Sequence, residues 1–435
     1  MAIAASKPRI FIGLIDIASY YSGLKQGFDE LGVEAVFVPL AKNKFAREVA
    51  GNPRCWMLSL VNWVLRLGCA GFSNRLTAAA YNRGIFPLTK FVLLVWAAFR
   101  FDVFIFGFAS TFFNYRELPV LRRLGKKIIF VFNGSDSRPP YISGNYIHPE
   151  FRRTIEECLA ATRQTKATVL TIERNANFCV NHPPQAHFHE RKFVNHCFVG
   201  HPCQLWVAPA EECVSSPSLG LRIVHAPSNP GPKGTAIVRE LIGRMQREGH
   251  PIHYIELINR PNHEVLQELS RCDLVIDELY SDIPLAGLGT EAAFFGKPAV
   301  VGGYAQIELG AFARQAGLPM RLYVRPEEVE SVVRRLLAEE AFRKETGAAA
   351  QAFVTENWTP TQVAGRFLQL IAGNVPPEWW YDPNGINYLL GWGVSETESR
   401  EFLAQYVKIG GIQALQLADK PALEASFLRL AGCGA

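Results

Sequence analysis

No uninterrupted apolar run in this 435-residue chain reaches the roughly 18 to 20 residues a membrane-spanning helix needs. Nothing repeats with a period of about 20 to 50 residues, which excludes solenoids and propellers, and no stretch is low in complexity. Met1 to Arg9 lacks the positive region, apolar core and small-residue cleavage site of a secretory signal, so none is expected. The 9 cysteines are scattered without a C-x-x-C pair, which fits a reduced, cytoplasmic setting better than a disulfide framework. The Walker A pattern is missing, as is G-x-G-x-x-G at a first strand-to-helix turn; both absences weaken nucleotide kinases and NAD dehydrogenases. No D-x-D pair occurs, so no metal site or cofactor is expected.

Acidic residues are missing from one long segment. Between Val49 and Phe101 there is no Asp or Glu, whereas Arg54, Arg66, Arg75, Arg83, Lys90 and Arg100 stand among the apolar stretches Trp56 to Leu67 and Phe86 to Phe99. Two readings follow: two core-facing helices with solvated arginines, or a surface at 49–101 that rests peripherally on an anionic membrane. The whole chain carries a formal charge of only +5, too mild to imply a nucleic-acid partner.

What is present is a chain too long for one core, read as an alternation of strands and helices. Arg9 to Ile15, Ala18 to Leu31 and Val33 to Leu40 read as strand, helix and strand, the opening of a parallel sheet. Asp102 to Phe108, Glu117 to Leu124 and Lys127 to Phe132 continue it, and the last strand runs into Asn133-Gly-Ser-Asp136-Ser-Arg138. Residues 207–220, rich in Pro and Ser, read as a linker. A second series begins at Arg222 to His225 and continues through Thr235 to Glu248, His253 to Leu257, Glu264 to Arg271 and Leu274 to Ile276. The expected fold is α/β with two Rossmann-like domains, at 1–206 and 221–372, and a helical extension at 373–435. Its last helical stretch is expected from about Glu396 to Leu430.

Two turns carry the candidate chemistry. His225-Ala-Pro-Ser228-Asn229-Pro-Gly231-Pro-Lys233-Gly234-Thr235 leads from a strand into a helix; loop amides and a helix start attract anions, and Lys233 adds a full charge. Asp273-Leu-Val-Ile-Asp277-Glu-Leu-Tyr280 is followed by Gly287-Leu-Gly289-Thr290-Glu291, where a carboxylate in the first helical turn suits a ribose diol. Each turn also has a plain structural reading, as a connection or a helix cap.

HAPSNPGPKGT, DLVIDEL and GLGTEAAFFGKPAVV, in this order over residues 222 to 301, resemble the GT-B glycosyltransferases, and among them the group-1, family 4-like enzymes of bacterial polysaccharide and glycolipid assembly. DVFIFGFAS, LRRLGKK and NGSDSR extend the resemblance over about residues 9 to 372. It implies two domains facing each other across a cleft, the second holding a nucleotide sugar, UDP before GDP, and the first a saccharide or lipid-linked acceptor. Lys233 would neutralise the diphosphate, Glu291 would bind ribose, Gly287, Gly289 and Thr290 would give amide contacts, and Asn259 and Arg260 would face the base. Asp136 is the candidate for orienting or deprotonating the acceptor hydroxyl, and Arg138 for a further cation; a structural Asp-Arg turn is the competing reading.

The chain departs from this family at Ile283, where many members carry a Glu eight residues before the ribose Glu; Asp282 lies adjacent but out of register. Retention of anomeric configuration therefore stays open. A non-catalytic relative and a nucleotide-sugar epimerase remain as alternatives. The cluster His182, His187, His189, His196 and His201 matches no recognised ligand spacing and reads as structural or as lining an acceptor, before a metal site.

Overall fold

The computed structural model describes residues 7–40, 55–69, 75–108, 110–151, 153–203 and 220–433. All but Gly220 of the expected linker lies outside these residues, as do 49–54 and 70–74 of the acid-free segment. The chain divides into two compact units, one formed by 1–133, 171–180 and 360–375, the other by 134–170, 181–359 and 376–435.

In the first unit, β1 (Ile10–Ile12), β2 (Ala35–Phe37), β3 (Val103–Gly107), β4 (Lys127–Val131) and β5 (Phe178–Asn181) lie in the order β5-β4-β3-β1-β2, with parallel pairing throughout. Every residue of β1, β2 and β3 is buried, as expected of strands covered on both faces. The core is aromatic: the Phe11 ring lies 5.7 Å from Phe101 and 5.4 Å from Phe112, and Phe112 meets Phe106 edge-on at 6.0 Å. The helix Tyr20–Glu30 packs on the helix Pro360–Ala372 at Gly27, where an added Cβ would come within 1.9 Å of the Pro360 carbonyl oxygen.

In the second unit, β7 (Leu221–His225), β8 (Ile252–Glu256), β9 (Leu274–Ile276), β10 (Ala299–Gly302) and β11 (Tyr323–Val324) form a parallel sheet in the order β11-β10-β9-β7-β8. The chain passes from β7 to β8 on one side and then crosses to β9 on the other, so the switch point of the sheet falls between β7 and β9. Open parallel sheets gather ligands outside the carboxyl ends of strands at such a point. Alternating strand and helix in this half, as the sequence predicts, produces this arrangement.

Other elements depart from the sequence reading. The strand expected over Arg9 to Ile15 is confined to Ile10–Ile12, and the one over Val33 to Leu40 to Ala35–Phe37. A 21-residue helix, Ile155–Asn175, was not anticipated. In the expected helical extension, Trp380 and Tyr381 instead form β12 (Trp380–Tyr381), antiparallel to β6 (Phe193–Asn195). The last helical stretch is two helices, Glu396–Gly410 and Pro421–Leu430. Gly411, at φ 72°, ends the first, and Pro421 opens the second.

Gly27→Ala should place a methyl group against Pro360 and destabilise the protein by about 1–3 kcal/mol, the usual cost of overpacking. Urea unfolding checks this; an unchanged midpoint would show that the two helices separate freely.

Candidate functional site

The glycine-containing loop begins where β7 ends. His225 is fully buried, with Nδ1 2.8 Å from the Ile276 carbonyl oxygen and Nε2 2.9 Å from the Thr235 hydroxyl. A carbonyl can only accept, so Nδ1 carries the proton and Nε2 accepts from Thr235. Burial lowers the pKa of His225 and keeps this neutral form. One side chain thereby ties the end of β7 to the start of the helix Thr235–Arg247 and closes the loop at both ends. Gly234 takes φ 73° at the helix start, a conformation that suits glycine. Ser228 is exposed and Asn229 half-buried, and the Asn229 carbonyl accepts from the Lys233 amide.

Lys233 turns inward. Its ammonium lies 2.6 Å from Glu278 Oε1 and 3.4 Å from Asp277 Oδ1, both on the segment leaving β9. Burial opposes its charge, but the two carboxylates outweigh burial and raise its pKa. Glu278 is likewise penalised by burial, yet Lys233 and a hydrogen bond from Trp392 hold its pKa below the usual value. Asp277 differs: burial dominates and raises its pKa in spite of Lys233. Its second oxygen, Oδ2, accepts from the amide of Gly289 at 3.1 Å. Asp277 therefore joins the glycine loop to the start of the helix Gly287–Phe294, at the switch point of the sheet.

Both glycine-containing turns thus converge through Asp277 and Glu278, carboxylates to which the sequence motifs assign no role. The signal was legible: two acids directly follow the apolar run Leu274–Ile276, and charge at the end of a buried strand needs a partner. Trp392, from the C-terminal segment, was missed altogether; its indole N–H donates to Glu278 Oε2 at 2.6 Å. Local sequence gave no sign of it, since the two residues are 114 positions apart.

Arg138 joins the same network. Its guanidinium lies 5.5 Å from the centre of the Trp392 ring and bonds Asp282 through Nε at 2.6 Å, with both side chains buried. Gln185 donates to the other Asp282 oxygen at 2.9 Å. The charge of Arg138 is therefore balanced within the protein. Asp136 is half-buried two residues earlier, in the turn where Gly134 accepts from the amides of Ser137 and Arg138.

Glu291 is half-buried and its Oε1 accepts from Asn262 at 2.9 Å. Asn262 opens the helix Asn262–Arg271 just beyond Asn259 and Arg260, which are both exposed. The structure brings Glu291 to the loop proposed to face a base. Gly287 begins the helix, and the Thr290 hydroxyl donates to the Ala286 carbonyl. Beside the glycine loop is a cavity of about 400 Å³, lined by Pro230, Gly231, Thr235, His148, Glu150 and Tyr280 among others.

Among the described residues, no group of three or more His, Cys, Asp or Glu is placed to hold a metal ion. His187 Nε2 sits 2.6 Å from the Tyr388 carbonyl, Asn181 donates to His189 at 3.0 Å, and the rings of His182 and His196 lie 4.2 Å apart, tilted by 32°.

No protein-family model matches the chain, and no curated protein does. Solved structures similar to it include Anabaena HepE in complex with UDP-glucose, at 11% identity and TM-score 0.46 over 84% of this chain and 99% of that one. The glycotransferase of kitacinnamycin matches at 12% and 0.44, over 85% and 100%. S. aureus MnaA with UDP matches at 12% and 0.42, over 84% and 96%.

Asp282→Ala should leave the Arg138 charge buried without its partner and cost about 3–5 kcal/mol, whereas the paired change Arg138→Met with Asp282→Leu should recover most of that loss. Denaturant midpoints of the three proteins decide it.

Acid should act on the buried histidines. Burial pushes the pKa of His182 down to about 3 and that of His187 to about 4, from an ordinary 6.5. Below pH 6.5 the unfolded chain takes up protons that the fold refuses, so stability falls as pH drops toward 4. The slope is up to about 1.4 kcal/mol per pH unit for each histidine. Urea midpoints at about pH 7.5 and about pH 5 measure it, and equal values would contradict neutral burial.

Proposed function

We propose that this protein is a glycosyltransferase that takes a sugar from a nucleotide diphosphate donor, UDP in preference to GDP, and passes it to a saccharide or lipid-linked acceptor without a metal ion. The reading rests on one observation: at the switch point of the second unit's sheet, the ammonium of Lys233 and the amide of Gly289 point at the same place. An ammonium and main-chain donors aimed at one point can stabilise the negative charge that grows on a leaving diphosphate. Glu291, positioned by Asn262, is the ribose acceptor in this scheme, and Asn259 and Arg260 lie beside the base. Asp136 orients or deprotonates the acceptor hydroxyl. Arg138 acts by position, holding Trp392 and Asp282 in place, because its own charge is already balanced.

In this protein the place expected to hold phosphate is held by carboxylates. Asp277 and Glu278 carry two potential negative charges against one on Lys233, so an entering diphosphate must displace at least one contact. Asp277 is the group suited to yield, since burial favours its neutral form. Protonation of Asp277 frees the Gly289 amide and one face of Lys233 for phosphate oxygens, while Glu278, held by Trp392, keeps Lys233 in position. The same occupancy favours a second reading, a nucleotide-binding relative that performs no transfer.

Binding of UDP should then be accompanied by proton uptake, and the affinity should rise as pH falls, by up to about tenfold per pH unit. Calorimetry in buffers of differing ionisation enthalpy counts that proton. Lys233→Met and Glu291→Ala should each weaken UDP binding by about ten- to a hundredfold, as loss of one charged hydrogen bond implies. Wild-type affinity in both variants would place the nucleotide elsewhere. Incubation with labelled UDP-sugars and a lipid extract separates the two readings, because transfer or donor hydrolysis excludes the one without turnover.

A further inference from the structure

The helices Trp56–Cys69 and Phe86–Arg100 in the first unit are apolar on two faces. Met57, Val61 and Val64 on one, and Leu93 and Ala97 on the other, are buried and serve the fold. On the outer faces, Trp56, Trp63 and Leu67 recur along the first helix, and Leu88, Phe91, Val95 and Phe99 along the second, at the spacing of a single stripe. The exposure is large: 65% for Trp56, 63% for Leu88 and 83% for Phe99. A groove of about 510 Å³, lined by Trp56, Phe91, Val95 and Phe99 among others, joins the two stripes into one surface.

This surface is built, not accidental. The Tyr81 hydroxyl donates to the Val64 carbonyl at 3.1 Å, and Gly68 leaves room for that ring, since a Cβ there would stand 2.5 Å from the hydroxyl. Lys90 is half-buried, with its ammonium over the Phe86 and Phe113 rings at 5.9 and 5.4 Å. Among the described residues of this segment, the cations left at the surface are Arg66, Arg75, Arg83 and Arg100, the last paired with Glu34. No acid accompanies them anywhere from Val49 to Phe101. A second copy of the chain seated on this face by two-fold symmetry would set cation against cation. The complement that suits it is both apolar and anionic.

We propose that this face seats on an anionic lipid bilayer, with Trp56, Trp63, Phe91 and Phe99 at the boundary of headgroups and acyl chains and the arginines against lipid phosphates. Every residue it uses belongs to the first unit, so it stands or falls separately from the nucleotide site.

Vesicle flotation of the full chain tests it, with neutral phosphatidylcholine and with the same lipid containing about 30% phosphatidylglycerol. Protein should float with the anionic vesicles at about 0.05 M salt, and at least about tenfold less with neutral vesicles or at about 0.5 M salt. Leu88→Glu with Phe99→Glu should abolish flotation while UDP affinity and the thermal midpoint stay as in the wild type, both side chains being exposed. Arg75→Ser with Arg83→Ser should lower flotation and leave the apolar face intact, which covers the case of a misfolded first variant. No flotation, equal flotation with neutral lipid, or flotation indifferent to all four substitutions would overturn the proposal. So would a wild-type dimer in sedimentation velocity that the glutamate variant lacks, with no lipid binding.

Discussion

A lysine buried beside two carboxylates cannot be treated as an isolated charge. Removing the Lys233 ammonium from water is costly, and only the closeness of Glu278 and Asp277 makes the charged form the stable one. Two acids against one base leave an excess of negative charge, which the protein spreads over the Gly289 amide and the Trp392 indole. Each of these partners comes from a different stretch of chain. The ring they form therefore holds the glycine loop, the strand end and the C-terminal segment in one arrangement, and any ligand that enters must exchange contacts with it.

The sheet determines where this ring stands. β7 leads first to β8 and only later is flanked by β9, so the segments leaving β7 and β9 meet at the carboxyl end of the sheet, where Lys233 bonds Asp277 and Glu278. His225 keeps the loop after β7 closed by joining its two ends. Arg138 and Asp282 extend the polar network from the other side of Trp392, as a buried pair whose charges cancel. A second, smaller consequence is that the C-terminal segment, although it follows both sheets in sequence, contributes directly to the site.

The first unit shows a different division of labour. Its strands are covered on both faces by an aromatic core, whereas two of its helices carry apolar residues outward as well as inward. Apolar side chains pointed at water are common one at a time; a stripe of them along two helices of an acid-free segment that also exposes arginines is not. Lys90 illustrates how composition misleads here: counted with the cations in the sequence, it is turned toward aromatic rings in the structure.

Read alone, the sequence was sufficient for the α/β alternation and for the glycine-containing turn that leads from a strand into a helix. These follow from local rules: period, strand-end polarity and the conformations glycine permits. It was silent on Trp392 and Gln185 and on the commitment of Arg138 to Asp282, because such contacts join residues 97 to 144 positions apart on no local pattern. It also gave no role to Asp277 and Glu278, both of which bond Lys233 in the structure. Which charges face each other was decided by the crossover that brings β9 beside β7, and that is a property of the folded sheet.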